Sequence, residues 1–181
     1  MLHLAISVNK CLASVFLLCV SILVAAHSLS AVDFKSFDGT YKLDDAASDN
    51  IDNAIDQGVK GSSFLVRHFA RSRLKKLNPV YRTVSIASSA REVSIVVDNR
   101  PALKMPANGS AVVYTSPAGG KTNVNVRFEG GHLLQEFNSS DGHRVNDYAL
   151  SADGRTLTMQ VTETSPRLSA PIKYKQVYRR E

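Results

Sequence analysis

Apolar and polar residues alternate along most of the chain, as they do in strands that bury one face. From Tyr81 onward, turn signals such as "EGGH", "SSDGH" and "SADGR" separate the alternating runs, which is typical of antiparallel strands joined by tight turns. One such run, "GTYKL", stands apart much earlier in the chain. The pattern predicts about ten strands, at residues 39–43, 82–88, 92–98, 101–105, 111–115, 122–129, 132–138, 143–150, 156–163 and 171–179.

The segment between the first two strands has a helical period instead. "SDNIDNAIDQGV" predicts a short helix, and "SSFLVRHFARSRLKKLNP" predicts a longer one that begins after Ser63 and ends at Asn78-Pro79. At about 100° per residue, the longer helix has one apolar face and one basic face. The apolar face comprises Leu65, Val66, Phe69, Ala70, Leu74 and Leu77, and the basic face comprises Arg67, His68, Arg71 and Lys75.

The hairpins can be tested against one another, because a slip of one residue would turn every side chain to the opposite face. With turns at Gly130-Gly131, Asp141-Gly142 and Asp153-Gly154, four consecutive strands agree on a single inward face. That face is apolar with a few polar members, and it comprises Val124, Val126, Phe128, Leu133, Gln135, Phe137, Arg144, Asn146, Tyr148, Leu150, Leu157, Met159, Val161 and Glu163.

A meander of this length exposes two edge strands unless it curls and closes. The sequence therefore predicts a mainly β fold, a ten-stranded antiparallel up-and-down barrel with a helix-turn-helix lid inserted after the first strand. A barrel of that width is too wide for its own side chains to fill, so it encloses a cavity. A filled core is the alternative, in which the barrel acts as an envelope-associated interaction module without a ligand.

The beginning of the chain has a different character. An apolar run, "LASVFLLCVSILVAA", follows Lys10 and is followed by small residues, which indicates a secretory signal peptide over residues 1–31. A retained membrane anchor is the alternative, although the run is short for a span of about 20 residues. We expect a single domain over residues 32–181, secreted or periplasmic. Both cysteines, Cys11 and Cys19, fall within the signal peptide.

Several motifs together resemble the intracellular fatty-acid-binding proteins. They are "FDGTYKLDD", the two helices, the run from "GGHLLQEF" to "TMQVTETS", and the final "KYKQVYRR". The resemblance covers nearly all of the chain after the signal peptide. The wider calycin group, which includes the lipocalins, shares a glycine and an aromatic residue on the first strand and a basic residue on the last, here Gly39, Tyr41 and Arg179 or Arg180. It implies that the helices cover the mouth of the barrel and that a small lipophilic ligand binds inside.

The chain departs from that family at the polar positions. Tyr41 replaces the usual tryptophan, and Gln176 replaces the arginine of a C-terminal Arg-x-Tyr pair, while Arg144 lies earlier on its strand than the family's other interior arginine. Because Glu163 can neutralise Arg144 and Gln176 carries no charge, we expect a neutral or amphipathic ligand. A purely structural ion pair between Arg144 and Glu163 is the alternative. The candidate ligand-binding residues are Phe128, Gln135, Phe137, Arg144, Tyr148, Met159, Glu163, Gln176 and Tyr178.

Basic residues are concentrated on the longer helix. No Asp or Glu occurs between Gln57 and Arg91, so Arg67, Arg71 and Lys75 form a candidate surface for an anionic membrane. An ordinary solvated surface is the alternative.

Few features of the sequence indicate an enzyme. The chain contains no Gly-x-Ser-x-Gly, no His-Glu-x-x-His and, after the signal peptide, no cysteine nucleophile. An enzyme that uses the barrel cavity is the least favoured reading. We expect a monomeric protein without enzymatic activity, cofactor, metal or nucleic-acid partner.

Overall fold

The computed structural model describes residues 34–115 and 119–181, apart from the side chain of Val66. The predicted signal peptide, residues 1–31, lies outside the described residues. None of the helices in the described part is long and apolar enough to cross a membrane.

Ten strands in the described residues form one antiparallel sheet, as predicted. In spatial order they run β4-β3-β2-β1-β10-β9-β8-β7-β6-β5, so each strand except the first and last in this order lies between two hydrogen-bonded neighbours. The two end strands, β4 and β5, also approach each other, and the sheet is a nearly closed barrel. The strands are β1 (Gly39–Leu43), β2 (Thr83–Ser88), β3 (Glu92–Val97), β4 (Leu103–Pro106), β5 (Val112–Thr115), β6 (Lys121–Glu129), β7 (His132–Ser139), β8 (Gly142–Leu150), β9 (Thr156–Thr164) and β10 (Ile172–Arg180).

The predicted registers are confirmed with one adjustment. Phe137 lies opposite Val124, and Met159 lies opposite Tyr148, as the turn positions require. The β7–β8 turn is formed by Ser140 and Asp141, one residue earlier than predicted, because Ser139 pairs directly with Gly142. A turn displaced by one residue shifts the register by two, so every side chain keeps its predicted face.

The two predicted helices follow β1. Helix α1 (Ile51–Gly58) begins at Asn50, whose side chain accepts a hydrogen bond from the backbone N–H of Asn53. It packs on β10 so closely that a Cβ on Gly58 would lie 2.6 Å from Ile172. Helix α2 (Phe64–Leu77) follows, with Ser63 at its N-cap position and Asn78 at its C-cap. We refer to α1 and α2 together as the lid.

The two ends of the barrel are built from different connections. Since consecutive strands run antiparallel, the connections that follow odd-numbered strands all lie at the lid end. The opposite end is closed by a 3-10 turn at Phe34–Phe37, and both phenylalanines are buried. Arg180 lies across the ring of Tyr41 there, and a Cβ on Gly39 would meet its guanidinium at 2.6 Å. The glycine, aromatic and basic residues noted in the sequence are therefore Gly39, Tyr41 and Arg180, which contact one another.

Candidate functional site

A cavity of about 1210 Å³ occupies the lid half of the barrel. Its volume exceeds the roughly 300–1,000 Å³ that is usual for small-molecule pockets. Apolar residues come from α2 and from the barrel walls, and polar residues lie both in the interior of the cavity and at its rim. The lining includes Leu65, Phe69, Leu74, Leu77, Tyr81, Ile95, Leu103, Tyr114, Gln135, Phe137, Arg144, Asn146, Tyr148, Met159 and Glu163.

Most of the predicted site residues border this cavity. Those that do so are Gln135, Phe137, Arg144, Tyr148, Met159 and Glu163. They come from β7, β8 and β9, the strands whose hairpin registers could be checked against one another.

The other three predicted site residues lie outside the cavity lining. Phe128 lies at the closed end, where its ring meets Phe34 and Phe37 edge to face at 5.9 and 6.2 Å. Gln176 lies where the loop before α1 covers β10, and its side chain donates to the backbone oxygen of Asp49. Tyr178 is fully enclosed in the core. The alternation of side chains along each strand assigned these residues to the inward face correctly. It does not indicate how far the cavity extends along the barrel axis.

Arg144 is the central polar group of the cavity. Protein atoms surround its guanidinium, although part of the residue's surface remains accessible to solvent. Its guanidinium donates to Asn146 Oδ1 at 2.8 Å, to Asn78 Oδ1 at 2.9 Å, to the carbonyl of Leu77 at 3.3 Å and to the hydroxyl of Tyr174 at 3.1 Å. Burial opposes its charge, but its neighbours Tyr174, Glu163, Tyr148 and Tyr81 together outweigh this effect and raise the pKa of the guanidinium. Arg144 therefore stays charged, and four of its five N–H groups have acceptors in the protein.

The predicted ion pair between Arg144 and Glu163 is replaced by a bridge. The two residues face each other across β8 and β9, but Asn78 lies between their side chains. Its Nδ2 donates to Glu163 Oε2 at 2.9 Å, while its Oδ1 accepts from Arg144 and, at 2.9 Å, from Tyr174. The amide thus joins the cation to the carboxylate and ties the end of α2 to three strands of the barrel.

A second set of bonds extends the network toward the middle of the barrel. Gln135 Oε1 accepts from Asn146 Nδ2 at 2.9 Å and from the hydroxyl of Tyr148 at 3.3 Å. Burial raises the pKa of Tyr148, so its phenol remains a neutral donor. The polar atoms therefore form one connected chain from Asn78 to Tyr148.

Sequence reasoning missed Asn78 and Tyr174 as members of this site. Asn78 was interpreted only as a helix stop, because it precedes Pro79. Its near-complete burial is the unusual feature, since a C-cap asparagine is normally solvated. That burial depends on strands more than 60 residues away in the chain, as the separation of 66 residues between Asn78 and Arg144 illustrates, and no local pattern reports it.

The apolar face predicted for α2 lies over the cavity, but much of it remains exposed. Leu65 and Phe69 line the cavity and are 70% and 73% exposed, and the neighbouring Phe64 is 80% exposed. Leu74, nearer the end of the helix, is buried. The first half of α2 therefore presents large apolar side chains to solvent, which soluble proteins rarely do without a use for them.

The basic face of α2 is less free than the sequence indicates. Arg71 forms an ion pair with Asp56, and Lys75 forms one with Asp52 at 2.8 Å, so both cations are paired with α1. Arg67 donates to the backbone oxygens of Lys60 and Ser62. The sequence interval without acids begins just after Asp56, and folding brings Asp52 and Asp56 alongside α2.

Comparison with known proteins shows the fold. No protein-family model matches the chain, and no curated protein matches it by sequence. Among solved structures it is similar to an abundant heat-soluble (SAHS) protein from Ramazzottius varieornatus, with 13% identity and a TM-score of 0.58, covering 81% of this chain and 96% of that one. A Schistosoma mansoni fatty-acid-binding protein in complex with arachidonic acid gives 18% identity and a TM-score of 0.53, covering 82% and 98%. The fluorescent protein UnaG gives 17% identity and a TM-score of 0.54, covering 80% of this chain and 97% of that one. The chain thus shares the barrel fold of these structures.

Proposed function

We propose that this protein binds and carries a lipophilic or amphipathic small molecule inside its barrel. The observation that carries the proposal is the apolar cavity of about 1210 Å³ beneath α2. Its interior combines apolar residues with the convergent polar groups of Gln135, Arg144, Asn146 and Glu163, a composition typical of a small-molecule site. The Schistosoma mansoni fatty-acid-binding protein, which has a similar fold, is in complex with arachidonic acid, and this supports the same class of ligand.

The polar network favours a neutral or amphipathic ligand in the interior. Arg144 and Glu163 compensate each other through Asn78, so a carboxylate bound beside Arg144 would displace existing bonds and face the negative charge of Glu163. Neutral hydroxyl, ester or amide groups can contact Gln135 and Tyr148 without that cost. No nucleophile in this network is paired with a base, which supports binding without catalysis.

The filled-barrel alternative is not favoured. A core packed to the density of a protein interior leaves few voids larger than a water molecule, whereas this cavity is far larger. An interaction module without a ligand would give no reason for Leu65 and Phe69 to border an interior space.

Replacing Met159 by tryptophan tests the proposal. Met159 lines the cavity from β9, so Met159→Trp narrows the space in which a ligand lies. We expect the parent protein to enhance Nile red fluorescence saturably, and the variant to lose most of this signal while its unfolding midpoint changes little. Val113→Trp is the matched control, because Val113 is exposed on the outer wall.

The opposite pattern would reject the proposal. In a filled core the same tryptophan overpacks and costs about 1–3 kcal/mol of stability. A destabilised Met159→Trp variant of a parent that never binds the dye would therefore support the filled-barrel alternative.

We also propose that the carrier acts after export, in a secreted or periplasmic location. The support is the apolar run after Lys10, followed by small residues. Intact-mass measurement of the exported protein should place the mature N terminus between Leu29 and Val32. A mass that still includes the first 26 residues would reject the proposal.

Docking of the lid on an anionic membrane is a second proposed function. It is supported by three exposed apolar residues, Phe64, Leu65 and Phe69, beside the basic face of α2. Since Arg71 and Lys75 are already paired, we expect Phe64→Ser with Phe69→Ser to weaken binding to anionic liposomes more than Arg67→Gln, Arg71→Gln and Lys75→Gln together. Unchanged liposome binding in both variants would leave α2 as an ordinary solvated surface.

A further inference from the structure

The charged residues of the cavity are divided between its interior and its rim. In the interior, Arg144 and Glu163 balance each other. At the lid end, the rim carries four cations and one carboxylate among the described lining residues. These are Arg73 on α2, Arg100 between β3 and β4, Lys121 at the beginning of β6, Asp141 in the β7–β8 turn and Arg167 between β9 and β10.

Asp141 neutralises only one side of this rim. One of its carboxylate oxygens accepts from Arg73 at 3.0 Å and the other from Arg167 at 3.1 Å. This pairing joins α2 to two barrel connections. Two cations thus share a single carboxylate, and a net positive charge remains even on this side.

On the other side of the rim, none of the described residues that line the cavity is a carboxylate. Arg100 lies over the ring of Tyr81, with 5.0 Å between its Cζ and the ring centroid. Lys121 is exposed and forms no ion pair within residues 34–115 and 119–181. Both residues border the cavity, so an anion at its mouth would meet two cations that form no ion pair with the described residues.

We propose that this rim binds the anionic head group of a single-chain amphiphile whose apolar tail lies in the cavity. The head group is a phosphate, sulfate or carboxylate that contacts Arg100 and Lys121. Arginine offers paired N–H donors to such oxygens, and lysine offers a mobile point charge. The inference rests on the proposed carrier function and adds an orientation: tail inward, anion outward. An inward anion is disfavoured because Arg144 already donates to four protein acceptors and Glu163 lies nearby.

The test compares two lipids that differ by one phosphate, oleoyl lysophosphatidic acid and monooleoylglycerol, in displacement of Nile red from the full protein. We expect the phosphate lipid to bind more tightly to the parent protein. The double variant Arg100→Gln, Lys121→Gln should bind the phosphate lipid about three- to tenfold more weakly, the range expected for partly exposed charge pairs. Its affinity for monooleoylglycerol should be unchanged. Oleate in a third titration shows whether a carboxylate is bound in the same way as a phosphate.

The matched control is Lys35→Gln with Arg155→Gln. Both residues are exposed at the closed end, in the 3-10 turn and in the β8–β9 connection, so this variant removes the same charge from the end of the barrel opposite the rim. It should bind every lipid as the parent does.

Three results would overturn the proposal. Equal affinity of the parent for the two matched lipids would remove the head-group site and leave the cavity function intact. A gain in affinity for oleate or the phosphate lipid in Glu163→Gln would place the anion beside Arg144. Failure of both lipids to displace the dye would reject the head-group site together with lipid carriage.

Discussion

The two ends of the barrel use aromatic residues in opposite ways. At the closed end, Phe34 and Phe37 are buried and meet Phe128 edge to face, while Arg180 covers Tyr41 and donates to the backbone oxygens of Ser36 and Asp38. At the lid end, Phe64 and Phe69 lie in solvent above an open cavity.

The difference indicates which end is devoted to stability and which to function. Burial of large aromatic side chains is among the largest stabilising contributions available to a domain. The closed end uses it fully. The lid end buries the aliphatic side chains of α1 but leaves the aromatic rings of Phe64 and Phe69 exposed, and α2 is joined to the barrel through Asn78 and through the ion pair of Arg73 with Asp141. The proposed carrier function needs one end that opens, and this division agrees with it.

The largest expected effect comes from truncating one phenylalanine at each end. Phe37→Ala should reduce the free energy of unfolding by about 3 kcal/mol, because it leaves a cavity beneath Phe128. Phe64→Ala, the matched control on α2, should change it by less than about 0.5 kcal/mol. Equilibrium denaturation of both variants measures the contrast, and similar losses at the two ends would remove it.

Asn78 is the exception at the lid end, because it is buried and bonded on both sides. Asn78→Ala leaves Glu163 without its amide donor and removes an acceptor from both Arg144 and Tyr174. We expect a loss of about 2 kcal/mol, as for an unsatisfied buried charged network. Denaturation measures it, with Asn123→Ala on the exposed face of β6 as the control. A loss no larger than that of the control would mean that the bridge contributes nothing to joining the lid.

The smallest effect concerns the exposed pair between Arg71 and Asp56. The hydrogen bond from Arg71 holds the pKa of Asp56 below its ordinary value of 3.8. A carboxyl group whose pKa is lowered by folding stabilises the protein at pH values above its pKa in the unfolded chain. This contribution is lost as the pH falls through its pKa in the folded protein. Amide-exchange protection of α2 should therefore decrease between about pH 5 and pH 3, while protection of β9 should not.

Asp56→Asn provides the control for this acid effect. The variant lacks the titrating carboxyl, so its α2 protection should depend less on pH over the same interval. An equal pH dependence in the parent and the variant would assign the loosening to other groups.

The strands and their faces could be predicted because their signals are local. A period of two and glycine-containing turns determine which residues face inward, and even the displaced β7–β8 turn preserved that parity. The extent of the cavity could not be predicted, since Phe128 and Met159 share a face but lie at different depths. Asn78 was missed for a similar reason, because its partners come from strands distant in sequence.

The helices illustrate the same limit. Their bounds and the apolar face of α2 were predictable from caps and periodicity, but the amount of that face left in solvent was not. The free charge of Arg71 and Lys75 was overestimated, because the two aspartates that neutralise them lie on another helix. Pairing between elements depends on tertiary packing, which a helical projection does not contain.

The most direct test of the account uses the methionine methyl groups, because Met159 borders the cavity while Met105 is fully buried in β4 outside its lining. Methyl NMR of protein labelled with ¹³C at the methionine methyl groups, titrated with monooleoylglycerol, reports on both positions at once. We expect the Met159 signal to shift saturably at one ligand per protein and to show contacts with the acyl chain, with a much smaller change at Met105. A Met159 signal that does not respond, or that drifts without saturation, would contradict binding inside the barrel.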